Sequence, residues 1–209
     1  MNYIKLGKLP TDIIDSFKED ILKRKVDNKP YQWIQFDKSL HDKFLEIFEN
    51  TDLKIQWFEG KKRYVQKAFY SETGHGMGIH KDGIECKSAL NIAISCNPED
   101  WVRWYDEKLI NGLATKYHYK IKNKETAQEI FGYSRDLPYV KYDTIKYIDE
   151  LKTEVGDVYA LNVDVFHSFK CMGPEPRIIL QTKFEGFPTF EEISKSLKQQ
   201  SFKNLIPIT

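Results

Sequence analysis

Cysteine is scarce in this 209-residue chain: Cys86, Cys96 and Cys171 are an odd number and form no Cys-x-x-Cys pair. That scarcity excludes a disulfide framework and a zinc knuckle, and it fits a reduced, cytoplasmic setting. Long apolar runs are also missing. No stretch approaches the ~20 residues of a membrane span, and the opening Met1-Asn2-Tyr3-Ile4-Lys5-Leu6-Gly7 lacks the apolar core of a secretory signal, so a soluble protein is expected. Neither sign of charge dominates. With 32 basic and 31 acidic residues the net charge is +1, which offers no electrostatic footprint for nucleic acid or another polyanion. There is no Pro/Ser-rich linker, repeat or low-complexity tract, and one domain spanning residues 1–209 is the natural reading at this length.

Aromatic residues are plentiful: thirteen Phe and twelve Tyr within an aromatic content of 14% suit a β-rich globular chain. Helices are expected to flank the strands over about residues 11–50. The first is capped by Thr11 or Asp12 and runs to about Lys25, with Ile13, Ile14, Phe17, Ile21 and Leu22 along one side. The second starts at Ser39 with the stripe Leu40, Phe44, Leu45 and Phe48. Strands should begin near Leu53, with a hairpin through Glu59-Gly60-Lys61-Lys62 returning along Arg63 to Tyr70. Near the other end, Thr189-Phe190-Glu191-Glu192 has the capping-box pattern and predicts a helix over about 189–200.

Against this scaffold stands a divided set of four polar residues: His80 and Asp82 in Gly78-Ile79-His80-Lys81-Asp82-Gly83, then His167, then Arg177. Two imidazoles and a carboxylate bind one face of a ferrous ion and leave positions open for a chelating co-substrate and dioxygen. If the first segment is an extended strand, i and i+2 side chains share a face, and His80 and Asp82 point the same way. The segment from Gly156 to His167 reads as a strand ending at the histidine. Arg177 opens a further strand after the turn Gly173-Pro174-Glu175-Pro176. A guanidinium there suits a two-carboxylate co-substrate, because it grips a planar carboxylate through two hydrogen bonds and stays charged at any working pH.

These motifs, together with Ser88-Ala89-Leu90-Asn91-Ile92-Ala93-Ile94-Ser95 and the stretch from Gly156 through Phe184, resemble the Fe(II)- and 2-oxoglutarate-dependent dioxygenases. Within that superfamily the likeness is to the aspartyl/asparaginyl and prolyl hydroxylase branch. The resemblance implies a mainly β fold with flanking helices, a double-stranded β-helix or jelly roll of the cupin type. It implies His80, Asp82 and His167 as iron ligands and as the catalytic centre, with Arg177 on the distal carboxylate of 2-oxoglutarate. Oxygen is the oxidant and hydroxylation of an amino acid or protein side chain the expected outcome. The expected partner is a small-molecule or peptide substrate.

Further candidates surround this set. Asn91 lies on the small, polar face of the alternating strand Leu90 to Ser95, and Tyr70, ten positions before His80, could bring its hydroxyl to the same pocket; both are candidate co-substrate contacts. The glycine-rich Thr73-Gly74-His75-Gly76-Met77-Gly78 lacks the Gly-Lys-Ser/Thr ending of a phosphate loop, so it reads as a mobile approach to the metal strand, with His75 solvent-exposed or on the substrate side. Cys86 and Cys171, each four residues after a ligand, read as small buried core residues. An insertion from about Asp106 to Leu151 is expected to form a lid that supplies substrate contacts. Within it a strand is read over 116–122 and a short helix over 125–131. Arg103, Trp104 and Arg135 are the candidates for substrate contact. Two other classes compete with the dioxygenase reading: a non-catalytic jelly-roll binding or regulatory protein, and a cupin-type metalloenzyme that uses no 2-oxoglutarate. Neither requires a buried guanidinium facing the metal.

Overall fold

A computed structural model describes residues 1–35, 37, 39, 67–82, 86–110, 145–184, 186, 188–198 and 205–207. Ten strands and two helices are built from them: β1 (Tyr3–Lys8), α1 (Thr11–Arg24), β2 (Tyr31–Gln35), β3 (Lys67–Ser71), β4 (Gly76–His80), β5 (Ser88–Ser95), β6 (Trp101–Trp104), β7 (Asp149–Leu151), β8 (Asp157–Asn162), β9 (His167–Lys170), β10 (Arg177–Lys183) and α2 (Phe190–Lys198). Of the expected second helix only its first residue, Ser39, is described, and it is helical; the rest of that helix, the hairpin through residues 59–62, the strand and helix within the insertion, and Arg135 lie outside the described residues.

The strands form two antiparallel sheets. The major sheet has the order β1-β8-β5-β10-β3-β2 and the minor sheet β4-β9-β6-β7. Sequence alternation sorts the major sheet into two faces. Leu90, Ile92, Ile94, Val158, Ala160, Ile178 and Leu180 point outward and pack with Ile14, Phe17 and Ile21 of α1 and with Ile193 and Leu197 of α2. Phe69, Ala89, Ala93, Tyr159, Leu161 and Ile179 point inward and meet Val102, Trp104 and Leu151 of the minor sheet. Helices on one side and a second sheet on the other make the jelly-roll sandwich.

Local chemistry explains the helix ends. At α2 the capping box forms as its pattern implies: Glu192 Oε2 accepts from Thr189 N–H at 2.7 Å, and Thr189 Oγ accepts from Glu192 N–H at 3.3 Å. At α1 the expected cap is displaced. Pro10 is the N-cap, with no side-chain hydrogen bond, and Thr11 is already helical. The fixed proline φ turns the chain into the helix, while Asp12 sits in the first turn, where an anion favours the helix dipole.

Two short elements escape a reading by periodicity. β1 and β2 are strands because β8 and β3 offer them ladder partners. The insertion is also shorter than its sequence limits, since Asp149–Leu151 is β7 and pairs with β6. Among the described residues no helix is long and apolar enough to cross a membrane.

Candidate metal centre

His80 ends β4, His167 opens β9, and the two are directly opposite in the antiparallel ladder. Opposed residues project from the same face, so the imidazoles become neighbours, with ring centroids 4.2 Å apart. A bulge sets this phase. The interval from Met77 to His80 on β4 faces the interval from Phe169 to His167 on β9, one residue more on the first strand than on the second. His167 therefore begins a strand instead of ending the one from Gly156, because β8 stops at Asn162 and the chain crosses to the other sheet.

The close approach of β4 and β9 requires glycine at position 76. A Cβ there would lie 2.1 Å from the Phe169 carbonyl oxygen and 2.8 Å from Lys170 Cα, and neither backbone atom can swing aside. Gly76→Ala is expected to force the strands apart and lower stability by about 1–3 kcal/mol, the usual range for overpacking. Urea unfolding measures the loss, and an unchanged midpoint would contradict it.

Asp82 lies just past β4, so strand alternation does not place it. Its N–H donates to the Val163 carbonyl at 3.0 Å, which ties it to the connection between β8 and β9. Its Oδ1 is then 3.4 Å from His80 Nε2 and 3.9 Å from His167 Nε2. The candidate ligand atoms of all three residues lie within 4.8 Å of one another. Each imidazole Nδ1 faces a carbonyl oxygen, Gly78 at 2.7 Å for His80 and Val165 at 2.9 Å for His167. A carbonyl only accepts, so a neutral imidazole keeps its proton on Nδ1 and turns the Nε2 lone pair toward the carboxylate. Two nitrogen lone pairs and a carboxylate converging on one point form a donor set that fits ferrous iron.

The electrostatics keep these groups ready to ligate. Burial, with His80 alongside, depresses His167 to about 4, although Asp82 pulls the other way. Burial alone would raise Asp82, but in the metal-free site a hydrogen bond from the protonated form of His80, which carries a second proton on Nε2, and the electrostatics of both imidazoles outweigh it and hold the carboxyl below its ordinary range. A pH effect follows for the metal-free protein. Between pH ~6.5 and ~4 the unfolded chain takes up a proton at His167 that the folded chain refuses, so stability falls as the pH falls through that window, by up to about 3 kcal/mol. The Asp82 contribution is lost at still lower pH, in the same direction. Denaturant midpoints of wild type and His167→Gln at pH 7 and pH 4.5 check this: the variant should lose less than the wild type.

Deeper between the sheets, Arg177 is 3% exposed. Its guanidinium carbon lies 4.7 Å from the centre of the Phe169 ring. Its Nε has no hydrogen-bond partner, nor do Ser71 Oγ, Asn91 Oδ1 and the Tyr159 hydroxyl. All four residues share the inward face, with Arg177 opposite Ser71 and Asn91 opposite Tyr159 in the ladders. Burial pushes the Tyr159 hydroxyl up to about 12, despite the positive charge of Arg177, so it remains a neutral donor. Buried polar groups are ordinarily paired; the Arg177 Nε–H and the Ser71 and Tyr159 hydroxyls are donors that complement an anionic ligand, whereas Asn91 Oδ1 only accepts and is a natural partner for the Tyr159 hydroxyl.

The structure brings together His80, Asp82 and His167, and it puts Arg177 and Asn91 on the face that looks into the sandwich. It does not bring Tyr70 there. That side chain faces the helices, with its hydroxyl 3.0 Å from Glu72 Oε1. Trp104 is buried between the sheets, donates from Nε1 to the Asn162 carbonyl at 2.8 Å and stacks on Tyr3. Arg103 points away from the sandwich, paired with Glu150 at 2.6 Å between the rings of Trp101 and Tyr147. His75 is exposed, and Cys86 and Cys171 are buried. Sequence reasoning missed Ser71 and Tyr159, whose only signal is an inward phase that strand pairing reveals.

Two facing antiparallel sheets, the minor one carrying a His/Asp/His trio at and just beyond its strand ends, define a jelly-roll protein with a candidate metal centre. No protein-family model and no curated protein matches the chain, but solved structures do. HygX from Streptomyces hygroscopicus with nickel and 2-oxoglutarate bound is similar over 90% of this chain and 84% of its own, at 8% identity and a TM-score of 0.57. The same protein with nickel, 2-oxoglutarate and hygromycin B bound gives 9% identity, the same coverage and a TM-score of 0.53. SnoK, a non-heme alpha-ketoglutarate-dependent carbocyclase from nogalamycin biosynthesis, is similar over 100% of this chain and 90% of its own, at 10% identity and a TM-score of 0.52. The chain has the double-stranded β-helix fold of the iron- and 2-oxoglutarate-dependent oxygenases.

Proposed function

We propose that this protein is an Fe(II)- and 2-oxoglutarate-dependent oxygenase acting on a small molecule or a peptide side chain, with hydroxylation as its reaction. The observation that carries this reading is the coexistence of a converging His80/Asp82/His167 set with a buried Arg177 whose Nε has no hydrogen-bond partner, on the inward faces of the two sheets. A cupin-type metal protein without 2-oxoglutarate, or a binding protein without metal, gives no reason to bury that guanidinium with its Nε–H unpaired. Bound iron would supply the oxidative chemistry, with 2-oxoglutarate and oxygen as co-substrates.

In this reading the two histidines and Asp82 hold the metal, and Arg177 takes the distal carboxylate of 2-oxoglutarate with help from Tyr159, Ser71 and Asn91. Ala89 and Ala93 flank Asn91 on the inward face of β5, where their small side chains suit a co-substrate pocket. The hygromycin B complex of HygX supports a small-molecule substrate, while SnoK, a carbocyclase, is a reminder that the fold carries other oxidative outcomes.

Anaerobic titration with Fe(II) and then 2-oxoglutarate tests the proposal without a substrate in hand. A weak visible charge-transfer band should grow in and saturate at one equivalent of each. Saturable iron binding with no response to 2-oxoglutarate would favour the cupin-type alternative, and no iron binding at all would favour the non-catalytic one.

A further inference from the structure

Each histidine is bracketed in the chain by two residues, and all four of these attach to one short segment, residues 105–110. Ile79 precedes His80 and Lys81 follows it; Phe166 precedes His167 and Ser168 follows it. Alternation turns Ile79 and Ser168 away from the imidazoles, to the outer face of the minor sheet, and Lys81 and Phe166, just outside the strands, meet the segment on that same side. There Ile79 and Phe166 form a buried cluster with Tyr105 and Ile110, separate from the two larger cores. Tyr105 N–H donates to the Phe166 carbonyl at 2.9 Å, and the Tyr105 hydroxyl lies 2.7 Å from Ser168 Oγ. Lys81 Nζ is 2.9 Å from Glu107 Oε1 and 4.7 Å from the Phe166 ring centre. The segment is itself pinned by Asp106, whose Oδ1 accepts from Leu109 N–H at 2.9 Å and whose carbonyl accepts from Ile110 N–H at 3.1 Å.

We propose that residues 105–110 are a brace that sets both histidines from behind, which makes Tyr105 and Ile110 positioning residues of the metal centre. The inference rests on the reading of His80, Asp82 and His167 as metal ligands. Its physical basis is where those histidines sit. His80 is the last residue of the edge strand β4 and His167 the first of β9, paired with both His80 and Trp104; for each, the ladder stops at the histidine along the chain, and strand ends fray. A metal centre needs its ligands held to about 0.5 Å. Packing of Ile79 and Phe166 against Tyr105 and Ile110 supplies the constraint that the strand termini lack, and one segment touching both strands fixes the two imidazoles relative to each other.

Cobalt(II) binding to the complete chain tests the brace, through its dissociation constant and its visible ligand-field spectrum. Ile110→Ala should weaken Co(II) binding about tenfold or more, the lower end of the range for groups that orient metal ligands, and should shift the ligand-field bands. Leu197→Ala, a similar truncation in the core beyond the major sheet, is the control for stability alone: it should bind as wild type does, with an unchanged spectrum. Tyr105→Phe keeps the ring and removes the hydroxyl that meets Ser168, so it provides a second folded variant, expected to shift the bands with a smaller loss of affinity. Wild-type affinity and spectrum in both brace variants, or equal effects from Ile110→Ala and Leu197→Ala, would overturn the proposal. Failure of the wild type to bind Co(II) stoichiometrically is a different result, and it would remove the metal reading and the brace together.

Discussion

Alanine in place of Asp82, His80 or His167 should abolish stoichiometric iron binding and uncoupled 2-oxoglutarate turnover while leaving a folded protein. The three side chains converge on one point, and no other described residue joins them there, so a lost ligand has no substitute. Asp82 carries the greatest weight, since it alone brings negative charge to a divalent cation. The fold should survive because the two large apolar clusters, on either side of the major sheet, include none of the three. Metal analysis after dialysis, far-UV circular dichroism and succinate formation read the three consequences separately. Normal turnover in Asp82→Ala and His167→Ala would sink the triad assignment.

Replacing Arg177 by Gln should weaken 2-oxoglutarate far more than iron, by about 2–5 kcal/mol, or roughly 30-fold to several thousand-fold. The magnitude reflects burial: the guanidinium is almost wholly removed from solvent, so a carboxylate bound to it meets an unscreened charge, and the shorter neutral glutamine leaves that carboxylate uncompensated. Titration of 2-oxoglutarate into Fe(II)-loaded wild type and variant measures the difference. Equal affinity would mean that Arg177 packs against Phe169 for structure alone.

Much of this site was legible in the sequence because its residue types are unusual in their settings. A His-x-Asp triplet, a distant histidine at the edge of a β-rich stretch, and an arginine opening a strand ten positions later are conspicuous without any coordinates. The secondary candidates fared according to strand phase. Tyr70 is one residue from both Phe69 and Ser71, and those two face the interior while Tyr70 faces α1 and α2. Because side chains alternate with period two, an uncertainty of one residue in phase exchanges the pocket for the helix-packed core. Arg103 and Trp104 divide the same way: Trp104 is buried in the sandwich, and Arg103 lies outside it, paired with Glu150.

The sequence by itself determined the donor chemistry, the sheet-rich class and the capped second helix, since these depend on residue identity and on local patterns a few positions long. Tertiary structure alone decided which side chains meet. His80 faces His167 because a bulge in β4 shifts its phase, Asp82 is brought in by a hydrogen bond to Val163, and Tyr159 and Ser71 join Arg177 through register across the major sheet. Each of these depends on a pairing between residues far apart in the chain. No local propensity encodes such a pairing, because its free energy comes from ladders and packing that exist only once both partners are in place.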